Sequence, residues 1–253
     1  MRHQMQSLLE EKSIQGDKSV KRELICERQG KSIYQSDKPD FAIQVLNSNG
    51  ITEEGKHIPT NVVDALRNKI SSYLFEYIEG FHIPTHFISK LSDVEMMVKR
   101  TEIIPLTVKV FNSVSGTLMK RFNVKEIIQT DFPIIEHYFN NGTRTNAWVN
   151  EYHVYALGFA TPEEFKQINR IASKTNAVLR GLCDRRNLSV VDLHLEFGRY
   201  KNQVILIDEI SPLNCHFLDV SNGNRAKRDK YSIDHENAEE ALTELADRLM
   251  SKI

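Results

Sequence analysis

A short stretch of the sequence, VDLHLEFGRYKNQVILIDEISP at residues 191–212, contains acidic side chains at spacings that could bind a metal ion. Asp192, His194 and Glu196 alternate with apolar residues, as expected for a strand that packs one face on a core. The three polar side chains would then share the opposite face. The role of these side chains depends on which groups contact that face.

A second apolar run in the same stretch ends at Asp208 and Glu209, and the RYKNQ segment before it has the composition of a loop. The two runs predict a β-hairpin whose turn near Lys201 brings Asp208 close to Glu196. Facing carboxylates repel unless a cation joins them, and Mg²⁺ binds one or two carboxylates together with water and nucleotide phosphates. The residues alone favour another interpretation, a solvated strand face with surface ion pairs to Lys201 or Arg199.

Composition limits the choice of partners. The chain has 253 residues, with 33 Lys and Arg against 34 Asp and Glu, and a formal net charge of −1. We therefore expect neither nucleic acid nor a membrane as a partner, whereas a phosphorylated small molecule needs only a local basic pocket. The three cysteines are widely spaced and the first twenty residues lack an apolar signal segment, which predicts a cytoplasmic protein without disulfides.

The elements that would position the acids follow from periodicity. Short apolar runs at residues 23–46 predict two or three antiparallel strands, and residues 60–80 have the spacing of an amphipathic helix. The block at residues 83–122 alternates in two runs and predicts a strand pair. Thr161-Pro162-Glu163-Glu164 combines an N-cap, an N1 proline and a capping-box glutamate, which predicts the start of a long helix.

The ends and the middle of the chain complete this outline. The run AEEALTELADRLMSKI predicts a C-terminal amphipathic helix, residues 1–22 predict a polar extension, and residues 140–147 predict an Asn-rich loop. Strands, helix, strands, long helix, hairpin and helix together indicate an α+β fold with mainly antiparallel sheets.

Several segments resemble the SAICAR synthetase family. VDLHLEFGR followed by IDEISP is similar to the family's VDFKxEFGR and xDEISPD, and IPTHFISKLSDVEMMVKRTEIIPL, NSVSGTLMKR, FPIIEHYF and ALGFATPEEF are similar to further family segments. The resemblance implies a two-lobed α+β fold related to the ATP-grasp and kinase-like cores, with an ATP cleft between the lobes. It implies a nucleotide-binding lobe at residues 23–100 and an ATP-grasp-like substrate lobe at residues 101–253.

The resemblance also implies an activity, that of an ATP-dependent amide ligase in purine biosynthesis. The family joins aspartate to carboxyaminoimidazole ribonucleotide by way of an acyl phosphate, with ATP and Mg²⁺, and releases ADP and phosphate. Motif positions imply the following roles: magnesium ligands Glu196 and Asp208; catalytic residues Asp192 and His194; ATP-binding residues Lys31, Lys99 and Glu209; and substrate-binding residues Gly116, Thr117, Arg199 and His216.

Other positions depart from the family's motifs. Arg28 stands where the phosphate loop GKAK has its glycine, and residues 62–68 replace a GKGxxNN turn with what reads as helix. Phe111, His194 and His216 stand where RNxAAGS, VDFK and SPDxxR have a cation. Arginine's planar fork suits phosphate and carboxylate, phenylalanine has no donor, and histidine is charged only at lower pH.

Two functions therefore stay open at this point. One is the ligase with an altered or weakened substrate site. The other is a catalytically degraded paralogue that serves as a binding or regulatory protein, as a homo-oligomer or in a hetero-oligomer with an intact paralogue.

Overall fold

The computed structural model describes residues 22–28, 30–47, 60–140, 147–221, 230–233 and 236–251. Within these ranges the chain forms two antiparallel sheets and five helices. The polar extension predicted at residues 1–22 and the loop predicted at residues 140–147 lie almost wholly outside the described residues.

The first sheet contains five strands in the order β1-β2-β3-β5-β4. Their bounds are β1 Leu24–Arg28, β2 Lys31–Gln35, β3 Phe41–Leu46, β4 Phe87–Lys90 and β5 Glu95–Lys99. The turn between β1 and β2 contains Gly30 at φ +70, a left-handed conformation that favours glycine. Two or three antiparallel strands were predicted for residues 23–46, and the structure has three.

The second sheet contains six strands in the order β10-β9-β6-β7-β8, with β11 paired to the other end of β9. Their bounds are β6 Glu102–Val114, β7 Ile128–Phe139, β8 Ala147–Val149, β9 Leu188–Tyr200, β10 Gln203–Ile207 and β11 Cys215–Asp219. The long strand β9 is thus the centre of this sheet, because it pairs with β6 along one edge and with β10 and β11 along the other.

Helices cover one face of each sheet. Their bounds are α1 Thr60–Glu79, α2 Gly116–Phe122, α3 Glu151–Ala156, α4 Pro162–Asp184 and α5 Ala238–Met250. Helix α1 packs on the first sheet and on α5, and α4 packs on β9. Thr161 caps α4 by accepting from the Glu164 amide while the Glu164 carboxylate accepts from Thr161, so the predicted capping box is confirmed.

The packing of α4 decides which face of β9 is free. Leu193, Leu195 and Phe197 are buried in the core with the apolar residues of α4, so the alternate side chains of β9 lie on the other face of the sheet. The predicted hairpin and its sidedness are confirmed. None of the helices in the described ranges is long and apolar enough to cross a membrane.

The block at residues 83–122 differs from the predicted strand pair. It forms three strands and then helix α2, which begins at Gly116 with φ +50 and ends at Asn123 in the left-handed conformation. Leu118 is the one buried residue of this helix. Periodicity cannot distinguish such a short apolar pattern from the end of a strand. The division into lobes at residue 100 stays a prediction.

Candidate functional site

The site is built around the β9–β10 hairpin. Lys201 and Asn202 form its two-residue turn with φ values of 47° and 64°, and two positive φ values match the right-handed twist of the flanking strands. The register pairs Ile207 with Glu196, so Asp208 follows directly beside Glu196. The predicted approach of these two acids is therefore confirmed.

Glu196 is a half-buried carboxylate that contacts one cation and one neutral amide. Arg28 Nη1 lies 2.7 Å from its Oε2, and Asn140 Nδ2 donates to its Oε1 at 2.7 Å. Burial and the nearby charge of Asp208 nevertheless raise the pKa of Glu196, although Arg28 and Lys31 oppose the change. The two adjacent carboxylates repel each other, and a divalent cation bound by both would remove this repulsion.

Lys31 joins the acids from the other side of the cleft. Its ammonium group donates to Asp208 and, at 3.1 Å, to Glu209 Oε1. Burial alone would lower the pKa of Lys31, but the charges of Asp208 and Glu209 raise it, so the side chain is an ammonium ion. Lys31, which was predicted to bind the nucleotide, therefore lies beside the acidic pair Glu196 and Asp208.

Glu209 is held by a residue that the sequence did not single out. Arg67 on α1 donates to both carboxylate oxygens of Glu209, at 2.6 and 3.2 Å, and also to Asp64 at 2.7 Å and to the Gly30 carbonyl at 3.3 Å. Ser211 Oγ donates to Glu209 at 2.5 Å. We name Arg67, Asp64, Glu209 and Lys31 the buried ionic network.

The buried ionic network explains the role of Glu209. Burial would raise the pKa of Glu209, but Arg67 and Lys31 lower it to about 2. Its carboxylate is fully enclosed by these partners and does not line the cavity described below. The structure places Glu209 behind Lys31, where it orients the lysine, and the predicted contact of Glu209 with the nucleotide stays a prediction. The signal in the sequence was the run of polar residues on one side of α1, from Asp64 to Ser72.

A cavity of about 240 Å³ opens beside Lys31 and Asp208. Arg28, Gln44, His86 and Lys99 line it as well, together with apolar side chains such as Ile207. Lys99 donates to the Thr85 carbonyl at 2.7 Å and lies 5.9 Å from the centre of the Tyr200 ring. Four cations (Arg28, Lys31, Lys99 and Arg100), one carboxylate and an apolar wall suit a ligand with an apolar ring and negative charge.

His86 is the neutral member of this cavity wall. Burial lowers its pKa to about 3, with Lys31 and Lys99 contributing. The imidazole is therefore uncharged at physiological pH and adds a polar but neutral group between the two lysines.

The sheet face beyond Glu196 brings the predicted catalytic residues together with His216. His216 Nδ1 lies 2.6 Å from Asp192 Oδ1, and His194 Nε2 lies 3.5 Å from the same oxygen. The two imidazole rings meet edge to face at 5.9 Å. Burial, with the neighbouring charge of Lys109, lowers the pKa of His194 to about 4, so His194 is neutral at physiological pH.

Two other predicted substrate residues, Gly116 and Thr117, lie at the start of α2, where β6 ends. Phe111, five residues earlier on β6, pairs with Asp192 across the strands and is buried. The roles predicted for Gly116 and Thr117 stay predictions.

Arg199 lies away from this group. It is three residues after Glu196 on β9 and therefore on the opposite face, where its guanidinium donates to Glu164 at 2.5 Å and to Glu102 at 2.8 Å. The alternative in which Arg199 pairs with the strand-face acids is wrong, because its donors are used at the helix-covered side of the sheet. The predicted role of Arg199 in substrate binding stays a prediction.

The carboxylates at the hairpin can be compared with the ligands that metal ions prefer. In the described part of the chain, no three His, Cys, Asp or Glu side chains converge as a metal site. Glu196 and Asp208 alone offer two carboxylates, which is the number that Mg²⁺ takes from a protein when phosphates and water complete its shell. The pair therefore fits magnesium with a nucleotide better than a metal held by protein alone.

Comparison with known proteins gives consistent matches over most of the chain. The family model described as SAICAR synthetase matches residues 25–250. The phosphoribosylaminoimidazole-succinocarboxamide synthase of Persephonella marina is 35% identical over 240 residues, which covers 92% of this chain and 98% of the relative. That of Clostridium perfringens is 32% identical over 228 residues, which covers 90% and 97%.

Solved structures agree with the sequence matches. The crystal structure of the phosphoribosylaminoimidazole-succinocarboxamide synthase from Ehrlichia chaffeensis has a TM-score of 0.82 and 32% identity, and the match covers 91% of this chain and 100% of that one. A SAICAR synthetase in complex with ADP has a TM-score of 0.81 and 30% identity, with 91% and 98% covered.

Proposed function

The chain belongs to the SAICAR synthetase family, and we propose that it is an ATP-dependent ligase that joins the carboxylate of carboxyaminoimidazole ribonucleotide to the amine of aspartate. This is the reaction implied by the name of its curated relatives. One observation supports the proposal most strongly: Glu196, Asp208 and Lys31 meet beside a cavity lined by further cations.

ATP is the nucleotide that we propose for this cavity. A relative of 30% identity was solved with ADP, and the cavity here combines apolar surface with the ammonium groups of Lys31 and Lys99 and the guanidinium of Arg28. Charged donors of this kind stabilise phosphate oxygens, because hydrogen bonds between ions are shorter and stronger than neutral ones.

Magnesium is the metal that we propose, with Glu196 and Asp208 as its ligands. When bound, Mg²⁺ would neutralise negative charge on the phosphates of ATP. The adjacency of the two carboxylates supports this assignment, because two carboxylates are a number that Mg²⁺ takes from a protein when phosphates and water complete its shell.

The chain's own residues have distinct tasks in this proposal. Lys31 binds phosphate oxygens, and the buried ionic network fixes the direction of its side chain. Asp192 orients His216 and His194, which lie on the substrate side of Glu196. Little covalent chemistry is required of these groups, since positioning and charge stabilisation dominate phosphoryl transfer.

The alternative of a catalytically degraded paralogue gains no support from the described residues. An inactive chain need not keep a carboxylate pair and a buried lysine together, because buried charges are costly unless they are paired. Here Lys31 and Asp208 line one cavity, and Glu196 lies directly beside Asp208.

The proposal is tested by incubating the purified chain with Mg-ATP, aspartate and carboxyaminoimidazole ribonucleotide and measuring the amide product by mass spectrometry. We expect one ADP per amide. Asp208→Asn should lower kcat by roughly 100-fold or more, as expected when a charged group that stabilises the transition state is lost.

The matched control is Asp93→Asn, an exposed aspartate in the turn between β4 and β5. It should leave kcat unchanged, and circular dichroism checks that both variants fold. If the wild-type chain forms no amide from these three substrates, the proposed function is wrong.

A further inference from the structure

The second sheet presents a polar face that the proposed function uses only in part. Cross-strand pairing arranges it in three rows across β9, β6 and β7. The rows are Asp192, Phe111 and Ile134; then His194, Lys109 and Glu136; then Glu196, Thr107 and Tyr138. We name these nine residues the polar sheet face.

Lys109 lies at the centre of the polar sheet face. Its neighbours along β6, Val108 and Val110, are buried in the core, so its side chain points to the same side as Glu196. The row of Lys109 is the one next to the row of Glu196. Adjacent rows are about 7 Å apart, which is within reach of a small substrate bound against both.

The acids around Lys109 already have partners. Glu136 accepts from Arg121 and, at 2.6 Å, from the Tyr138 hydroxyl. Asp192 lies 2.6 Å from His216 Nδ1. These carboxylates are therefore used by other donors before Lys109 is considered.

Lys109 itself makes neither a hydrogen bond nor an ion pair with any of the residues that the structure describes. Its ammonium lies 4.8 Å from the centre of the Tyr138 ring, and burial lowers its pKa below the ordinary lysine value. The nearby carboxylates of Asp192 and Glu136 accept from other donors, so a half-buried ammonium with three donors and a ring face beside it is a site for an anionic oxygen.

We propose that Lys109 binds an anionic group, carboxylate or phosphate, of the ribonucleotide substrate. The inference rests on the proposed function and adds a substrate contact to it. Lys109 is the cation in the row of His194, Lys109 and Glu136. Because this row is next to the row of Glu196, Lys109 holds the ribonucleotide close to the nucleotide end of the cleft.

The experiment measures KM for each of the three substrates in Lys109→Met and Lys109→Arg. Loss of one charge-assisted hydrogen bond should raise the KM for the ribonucleotide about 10- to 100-fold in Lys109→Met, while the KM for ATP and for aspartate stays within about twofold. Lys109→Arg keeps the charge and should recover most of the affinity. The control is Lys174→Met, an exposed lysine of α4, which should change none of the three constants.

A binding measurement makes the result independent of turnover. Trp148 is the only tryptophan of the chain and pairs with Tyr138 across β7 and β8, at the edge of the polar sheet face. Its fluorescence should report binding of carboxyaminoimidazole ribonucleotide and of aminoimidazole ribonucleotide, which lacks the carboxylate. If Lys109 binds the carboxylate, Lys109→Met weakens the first ligand only; if it binds the phosphate, both weaken equally.

The inference is overturned if Lys109→Met binds both ribonucleotides like the wild type, or if only the KM for aspartate changes. It is also overturned if Lys109→Arg is as weak as Lys109→Met, because the charge would then be irrelevant. Absence of turnover in the wild type would instead contradict the proposed function, and the fluorescence titration would still decide the role of Lys109.

Discussion

The two ends of the candidate site treat their charges differently. At the nucleotide end, Arg67, Glu209 and Lys31 form a buried chain of hydrogen-bonded ions that leads to Asp208. On the polar sheet face, the Lys109 ammonium lies over the Tyr138 ring, and burial lowers the pKa of His194 so that its imidazole is neutral. At the nucleotide end, the ions are hydrogen-bonded to one another. On the polar sheet face, we propose that the Lys109 ammonium binds a ligand instead.

This difference separates stability from binding. A buried ion with a full set of partners fixes the geometry around it, and removing one partner leaves the others in an apolar environment without compensation. A half-buried ion without protein acceptors contributes little to the fold, so substitution should appear mainly in ligand affinity. Variants at the two ends should therefore differ in kind as well as in size.

The largest effect on stability is expected for Arg67→Met. The substitution leaves Asp64 buried without its guanidinium partner and removes two hydrogen bonds from Glu209. Breaking a buried ion pair from one side typically costs about 3–5 kcal/mol, so the free energy of unfolding should fall by about that amount. Chemical denaturation measures it.

Arg199→Met is the matched control for this prediction. Arg199 also binds two carboxylates, but its side chain is 27% exposed and one partner, Glu102, is 73% exposed. Solvent screening reduces the expected loss to about 1 kcal/mol. If Arg67→Met and Arg199→Met lowered the free energy of unfolding equally, the distinction between buried, hydrogen-bonded ions and exposed ion pairs would be wrong.

A smaller effect is expected from the histidines as the pH falls. Burial lowers the pKa of His194 to about 4 and that of His86 to about 3, from about 6.5 in an unfolded chain. The unfolded chain therefore takes up these protons first, and the free energy of unfolding decreases as the pH falls from about 6.5 towards 4. Below pH 4 only His86 continues to contribute, down to about pH 3.

Denaturation at a series of pH values tests this sign. His194→Gln should flatten the dependence between pH 6.5 and 4, and His86→Gln should flatten it over a range that extends to about pH 3. The control is His82→Gln at an exposed position after α1. A wild-type slope retained in both buried-histidine variants would mean that neither imidazole is held neutral.

The sequence predicted the parts of the fold that depend on local signals. The capping box at Thr161 and Glu164 fixed the start of α4, and strict alternation at residues 191–197 gave the sidedness of β9. The closeness of Glu196 and Asp208 followed from the hairpin, because both belong to one local unit. Local periodicity and turn composition are sufficient for such features.

The missed features depend on contacts between distant parts of the chain. Lys31 meets Asp208 across 177 positions, and Arg67 meets Glu209 across 142. An arginine on a helix is ordinary in sequence, and only the docking of α1 behind the hairpin shows that it is fully buried. Strand β11 and the central place of Lys109 were also missed, since both follow from sheet register.

The central claim, that the chain uses ATP to activate a carboxylate for amide formation, has a direct test. The ribonucleotide is labelled with ¹⁸O in its carboxylate and converted by the wild-type chain with Mg-ATP and aspartate. Attack of the carboxylate oxygen on the terminal phosphate of ATP, followed by displacement by the amine, predicts that each inorganic phosphate carries one ¹⁸O atom. Amide product accompanied by unlabelled phosphate would contradict the account.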